Sequence, residues 1–397
     1  MTEQLALYGG KPVRDSLLPY GKQWISEDDI KAVSEILRGD FLTTGPAIEQ
    51  FEREVADSAG TSYAVAFANG TAALHGAVFA AGIGEDDEVI TTPMTFAASA
   101  NCVLYQKGRP VFADIDPITG NIDPTTIEDL ITPKTRAIIP VDYTGRPVAL
   151  DRIRLLAEKY GLIIIEDAAH AFGASYNGIP VGSSADMTMF SFHPVKHITT
   201  GEGGIIVTNS DEYYEKLLMF RSHGITKNPS KCRGSEGPWY HEMQCLGYNY
   251  RMTDIQAGLG ISQLKKSAAF LSRRRQLVNL YLEGFASLEG LVLPPKDFEG
   301  ESSWHLFVIR LELERLKAGR REIFEALQAE NIGVNVHYIP VYHHPYYRSQ
   351  DFRPDCPQTE RFYERIVTLP LYPAMRDEDV QDVIMAVNKV CNYFSKC

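Results

Sequence analysis

The stretch FSFHPVKHITTGEGG, Phe190 to Gly204, decides the fold, because it joins two apolar segments through a loop with one lysine at its centre. Just before it, MTMFSF (Met187 to Phe192) alternates and is rich in aromatics, which reads as a short strand. After it, GGIIVTN (Gly203 to Asn209) reads as the next strand. Lys196 therefore sits on a loop between two strands. A lone lysine in such a loop is ordinarily a solvated surface residue. Its meaning depends on what the rest of the chain brings to it.

Upstream, TSYAVAFANGTAALHGAVFAAGIG reads as a strand, a tight turn at Asn69-Gly70-Thr71 and a helix. The unpaired N–H groups at such a helix start form a generic anion site, although a plain strand-to-helix turn has the same pattern. DEVITTPMTFAASANCVLYQKG repeats it, and RPVFADID and TRAIIPVDYTG add two short apolar strands. A helix over Ala149 to Tyr160 leads into GLIIIEDAAH. Strands alternating with helices predict an α/β fold with a mostly parallel sheet and helices on both faces. Further upstream, SEDDIKAVSEILRGD begins with a capping serine, Ser26, and carries a stripe at Ile30, Val33, Ile36 and Leu37.

Ligands of such sheets lie at the carboxyl ends of the strands. Glu166 and Asp167 lie there, but successive strand residues point to opposite faces, so they do not pair. Asp167 and Lys196 are separated by one more strand unit and can converge on one pocket. An aspartate facing a pyridinium nitrogen, with a lysine that forms a Schiff base, is what pyridoxal phosphate requires. GEGG precedes a strand and does not open a helix, which argues against a nucleotide-binding glycine loop.

The 397 residues suffice for two domains. We divide them into residues 1–260, a large α/β/α unit with an N-terminal segment 1–25, and residues 261–397, a smaller α+β unit. In the second, Ile261 to Leu288 reads as one long amphipathic helix whose Arg273, Arg274 and Arg275 form a solvated face. A net charge of -12 argues against a broad nucleic-acid footprint. No apolar run has the length of a membrane span or a signal peptide, so the expected location is cytoplasmic. Six scattered cysteines (102, 232, 245, 356, 391 and 397) lack a CxxC pair and read as free thiols. His343 and His344 lack a ligand-like arrangement, and no metal is expected.

The ordered set NGTAALH, TTPMTFAAS, PVFADID, IIIEDAAHAFG, MFSFHPVKHITTGEGG and GYNYRMTDIQAGLG resembles the DegT-type sugar-nucleotide aminotransferases, fold-type I pyridoxal phosphate enzymes. The likeness runs from about Ile25 to Pro340. DFLTTGPAIEQFE, PVDYTGRPV and WYHEMQCLGYNYRMTD resemble the branch of 4-aminotransferases of pseudaminic acid synthesis.

The resemblance implies that Lys196 is catalytic and carries the cofactor, and that Asp167 pairs with the ring nitrogen. It implies Phe96 stacked on the ring, Gly70, Thr71 and Ala72 around the phosphate, and a Ser191 hydroxyl on the same phosphate. His170 stands where many relatives have glutamine, near the ring oxygen. Asn249 would reach the phosphate of a neighbouring subunit, which requires a homodimer. Tyr143, Arg251, His305, His337 and Tyr338 are substrate-side candidates, although packing accounts for each equally well. Some relatives replace the lysine with histidine and dehydrate; here the lysine is in place, which favours transamination.

The resemblance further implies L-glutamate as amino donor. The acceptor it implies is a UDP-linked 4-keto sugar, UDP-2-acetamido-2,6-dideoxy-β-L-arabino-hexos-4-ulose, giving UDP-4-amino-4,6-dideoxy-N-acetyl-β-L-altrosamine. The alternatives are a perosamine-type or C-3 aminotransferase, and a regulator that binds the cofactor without turnover.

Overall fold

The apolar segments up to residue 208 supply the seven strands of the main sheet. They are β1 (Tyr63–Phe67), β2 (Glu88–Thr91), β3 (Arg109–Phe112), β4 (Thr135–Ile139), β5 (Ile163–Asp167), β6 (Met187–Ser191) and β7 (Gly204–Thr208). The computed structural model describes residues 4–296, 300–350, 352 and 354–396. The strands form one sheet in the order β1-β7-β6-β5-β4-β2-β3. Neighbours from β3 to β6 run parallel. β7 runs antiparallel to both β6 and β1, so the mostly parallel sheet is mixed at this edge. The connection 192–203 contains no helix to carry a crossover, so the chain turns back beside β6.

Burial on both faces explains why these strands are apolar throughout. Along β1, Ala64 and Ala66 join one core while Val65 and Phe67 join the other. Along β7, Ile205 and Val207 face the first core and Ile206 the second. That is period-two alternation with both faces dry. Removing each large apolar side chain from water contributes about 1.5–3 kcal/mol. One face is covered by α2 (Pro46–Ala59), α5 (Leu150–Tyr160) and α7 (Asp254–Leu264), the other by α3 (Gly70–Ala80), α4 (Ala98–Tyr105) and α6 (Asp211–Phe220).

α1 (Glu27–Arg38) packs on α7 through its cap. Ser26 and Asp29 form a capping box, and Asp29 also accepts from Ser262 (2.6 Å) and Gln263 (2.8 Å) and pairs with Lys266 (2.6 Å). Burial pushes the Asp29 carboxyl up, but those donors outweigh it and hold it below its usual range.

The expected single helix over 261–288 is two helices, α7 and α8 (Ser267–Gly284), broken at Lys265 and Lys266. Its three arginines also depart from expectation. Arg273 pairs with Asp377 and Arg275 with Glu301, whereas Arg274 is fully buried.

The second unit is a small antiparallel sheet of β8 (Leu291–Val292), β9 (Phe307–Leu311) and β10 (Ile366–Leu369), in that order. It is packed by α8, α9 (Arg320–Ala329) and α10 (Asp377–Phe394) around Leu277, Tyr281, Phe307, Leu327 and Val387. The N-terminal segment, grouped above with the first unit, contributes Leu5 and Leu18 to this second core. Leu18 exchanges main-chain bonds with Asn331 and Gly333, and the Ala6 and Val13 amides donate to Glu330 (2.8 and 2.9 Å). Side chains spaced far apart in a loop carry no periodicity, so the sequence gives no sign of which core they join.

Among the described residues, no helix is long and apolar enough to cross a membrane. Cys102, Cys232, Cys245, Cys356 and Cys391 are free; Cys397 lies outside the described residues. His343 bonds Glu360 at 2.8 Å.

Candidate active site

At the carboxyl ends of β1, β5 and β6 a cleft of about 930 Å³ opens against the second unit. Lys196 lies on its floor, on the loop after β6, with its amide donating to the His193 carbonyl at 2.9 Å. Asp167 ends β5 and faces the same cleft, while Glu166 faces the other way and accepts from Thr188 at 2.9 Å. The alternation expected from the sequence therefore separates the two carboxylates.

Asp167 is held by donors at both oxygens. Ser99 donates to Oδ2 at 2.6 Å and the Ala169 amide to Oδ1 at 3.1 Å. Ser99 has a single hydroxyl proton and spends it on the carboxylate, so Thr95, 2.7 Å from Ser99 Oγ, is the donor in that contact. Burial raises the Asp167 carboxyl above its usual value, against the opposing pull of Ser99, Ala169 and Lys196. Burial likewise lowers the Lys196 ammonium to about 8; Asp167 opposes that change and Arg274 adds to it. Asp167 is buried and Lys196 half-buried, and each favours the charged form of the other without a direct side-chain bond between them.

The start of α3 meets the carboxyl end of β6. Asn69 caps α3 by accepting from Ala72 N at 2.9 Å. The Ala72 amide, expected to bind a phosphate, is therefore already occupied, and the Gly70 and Thr71 amides are left at the cleft. A Cβ on Gly70 would stand 3.4 Å from Ser191 Oγ. One on Gly204 would lie 2.6 Å from the Gly70 Cα, so this close approach of β7 requires glycine. The Ser191 hydroxyl only accepts, from His193 N at 3.4 Å, which leaves its proton to donate.

The upper wall is aromatic. Phe96 is 61% exposed, large for a phenyl ring at the edge of a cleft. Tyr338 OH lies 2.9 Å from His170 Nε2, and their rings stack at 5.9 Å. The His170 Nδ1 is buried without a partner. His305 lies 4.4 Å from His170, centroid to centroid, and also lines the cleft. His337 lines it too, with Nδ1 2.9 Å from Thr368 Oγ1, and burial lowers its imidazole to about 4.

Two expected substrate residues are elsewhere. Tyr143 is 1% exposed, packs with Met94, Leu306 and Phe362, and donates its hydroxyl to the His337 carbonyl. It supports the segment bearing His337 and does not line the cleft. Arg251 is outside the lining as well; its backbone bridges to Phe67, and its Nε is buried without a partner. Asn249 is exposed, bridged to Ser222, and outside this cleft. Sequence reasoning missed Ser99, Thr95, Asn69, Tyr20, Tyr105 and Glu202. Ser99 and Asn69 had a signal: a serine four residues after Thr95 on a helix start, and an asparagine at an N-cap.

A pyridoxal phosphate fits these residues. The cleft offers a buried carboxylate opposite an amine, two free amides at a helix start beside a hydroxyl, an open phenyl face and an unpartnered imidazole nitrogen. When bound, the group supplies an electron sink that stabilises carbanions. The sequence profile of the DegT/DnrJ/EryC1/StrS aminotransferase family matches residues 23–388. The spore coat polysaccharide biosynthesis protein SpsC of Bacillus subtilis is 41% identical over 95% of this chain and 98% of its own. PseC of Helicobacter pylori, an aminotransferase of pseudaminic acid biosynthesis, superposes with a TM-score of 0.90 at 32% identity, covering 96% of this chain and all of that one. The putative sugar aminotransferase Spr1654 of Streptococcus pneumoniae, in its PMP form, gives 0.89 at 33% identity over 95% and 99%. This chain belongs to the DegT/DnrJ/EryC1/StrS aminotransferase family and is a pyridoxal-phosphate-dependent sugar aminotransferase.

Proposed function

We propose that the protein transfers an amino group from L-glutamate to C-4 of UDP-2-acetamido-2,6-dideoxy-β-L-arabino-hexos-4-ulose, in the cytoplasm and as a homodimer. The observation that carries the transaminase reading is Lys196 across one cleft from a doubly bonded, buried Asp167. The likeness to PseC supports the sugar.

In this reading Lys196 holds the cofactor and, once released, moves the proton at the reacting carbon. Asp167, backed by Ser99 and Thr95, keeps the ring nitrogen protonated. Phe96 stacks on the ring. The Gly70 and Thr71 amides and the Ser191 hydroxyl bind the phosphate, and His170 bonds the ring oxygen. His305, His337 and Tyr338 face the sugar. Asn249 binds the phosphate in the partner's cleft.

A second acceptor is favoured by one observation, the higher identity to SpsC than to PseC: another keto sugar nucleotide destined for a surface polysaccharide. One spectroscopic cycle separates the readings. Glutamate should bleach the visible band of the holoenzyme, and after its removal the 4-keto UDP-sugar should restore it. Bleaching without recovery rejects this sugar and turns the assay to a panel of keto sugars. A band that glutamate leaves unchanged rejects glutamate as the donor, and a band that no amino acid bleaches fits the regulator.

A further inference from the structure

Helix α8 carries an arginine where solvent does not reach. Arg274 is 1% exposed. The two protons of its Nη1 are shared among three main-chain carbonyls: Trp304 at 3.2 Å, His305 at 3.1 Å and Leu371 at 3.0 Å. Its Nε has no partner, and no carboxylate of the described residues forms an ion pair with it, whereas Arg273 and Arg275 on either side each have one. Tying three carbonyls together does not require a full charge. Burying one without a counter-ion is costly, which asks what the charge does.

Its neighbourhood gives the answer. The carbonyl it holds belongs to His305, whose ring lies 4.4 Å from His170 and 5.5 Å from His197. His197 follows Lys196 directly and bonds the Ser303 carbonyl at 3.2 Å, so its Nε2 carries the proton. Arg274, Lys196 and three imidazoles therefore share one buried region. The other groups that act on it are His337, the Tyr338 hydroxyl, Asp167 and, on the loop of Lys196 itself, His193 and Glu202.

We propose that Arg274 is a positioning residue that works through its charge: it disfavours a second cation at Lys196 and keeps the intervening imidazoles neutral, so that Lys196 meets a carbonyl as a free amine. The electrostatic balance agrees. Burial is the main cause of the lowered Lys196 ammonium, Asp167 opposes it, and Arg274 adds to it. The same guanidinium pushes His197 and His305 down, after burial. This inference rests on Lys196 being the reacting amine of the proposed function. Its test uses neither cofactor turnover nor substrate, so the two can fail separately.

The experiment is competitive acetylation of Lys196 in the apoenzyme across pH, read by peptide mass spectrometry, on the wild type, Arg274→Gln and Arg274→Lys. The wild-type midpoint should lie near 8. Arg274→Gln should raise it by about one pH unit and slow labelling at neutral pH up to about tenfold. Burial lowers the Arg274 guanidinium to about 9 and would lower the weaker base of Arg274→Lys further, so that variant should carry part of the charge and its midpoint should fall between those of the wild type and the glutamine variant. A glutamine variant with lowered Tm and an unmoved midpoint makes Arg274 a structural clip and overturns the proposal. A folded lysine variant whose midpoint lies below that of the wild type overturns it as well, since no loss of positive charge can lower it. Should the glutamine variant fail to fold, a wild-type midpoint at the ordinary lysine value of about 10.4 overturns it alone.

Discussion

Two buried regions of this molecule hold a lysine near a carboxylate, and they are built in opposite ways. In the second unit, Lys389 pairs with Glu330 at 3.0 Å, and both side chains are almost wholly buried. Glu330 also accepts from the Ala6 and Val13 amides, and Lys389 donates to the Lys11 carbonyl at 2.8 Å. Every partner there is protein, and the knot ties the N-terminal segment to the small core. In the cleft, Asp167 accepts from Ser99 and Ala169, but Lys196 makes no side-chain bond to it, and the Nδ1 atoms of His170 and His305 have no partner. A structural ion pair is satisfied by its own chain, whereas a reacting site leaves groups for what it binds.

The contrast breaks first, and most severely, at the lysine of the cleft. Lys196→Ala should abolish the visible band and reduce turnover below detection with Tm unchanged; near-normal turnover would remove the central assignment. Next in size, Glu330→Ala removes the carboxylate facing buried Lys389 and the acceptor of the Ala6 and Val13 amides, and should cost about 3–5 kcal/mol in denaturant unfolding. A loss under about 1 kcal/mol would show that this knot is not the satisfied pair described. Asp167→Asn should retain cofactor and slow the glutamate half-reaction about a hundredfold or more, measured by stopped-flow bleaching. Ser99→Ala removes one charge-assisted bond from a buried carboxylate, so the same rate should fall about tenfold with the fold intact. The smallest effect is expected at Asp29, outside both regions. Its folded carboxyl lies below its unfolded value, so its contribution to stability is present above about pH 3.9 and lost as pH falls through the folded value. Asp29→Asn should flatten that acid limb of a Tm-against-pH curve.

Much of the fold was legible because it is local. The strands around Val65, Ile165 and Ile206 are short apolar runs between turn residues, and both of their faces are dry. Opposite facing of Glu166 and Asp167 follows from a two-residue period alone. The helix start at Ser26 follows from cap chemistry, and the turn at Asn69-Gly70-Thr71 from its residue types. Tyr143 was left open between substrate and packing, and Arg274 was misread as solvated, because neither position is decided locally. A tyrosine in a loop after a strand can face a cleft or a core, and only the small unit closing over it buries it. An arginine among three on a helix is solvated by default, until three carbonyls from distant segments converge on one of them.

By itself the sequence determined the order of strands and helices, the placing of Lys196 on the loop after β6, and the face of β5 that carries Asp167. Each depends on side-chain period and on residues within a few positions of one another. Tertiary structure alone decided that β7 inserts antiparallel between β1 and β6, that the N-terminal segment joins the second core, and that Arg274 lies with the imidazoles behind Lys196. Those outcomes depend on contacts between residues tens to hundreds of positions apart, where burial of whole surfaces, and not local propensity, sets the free energy.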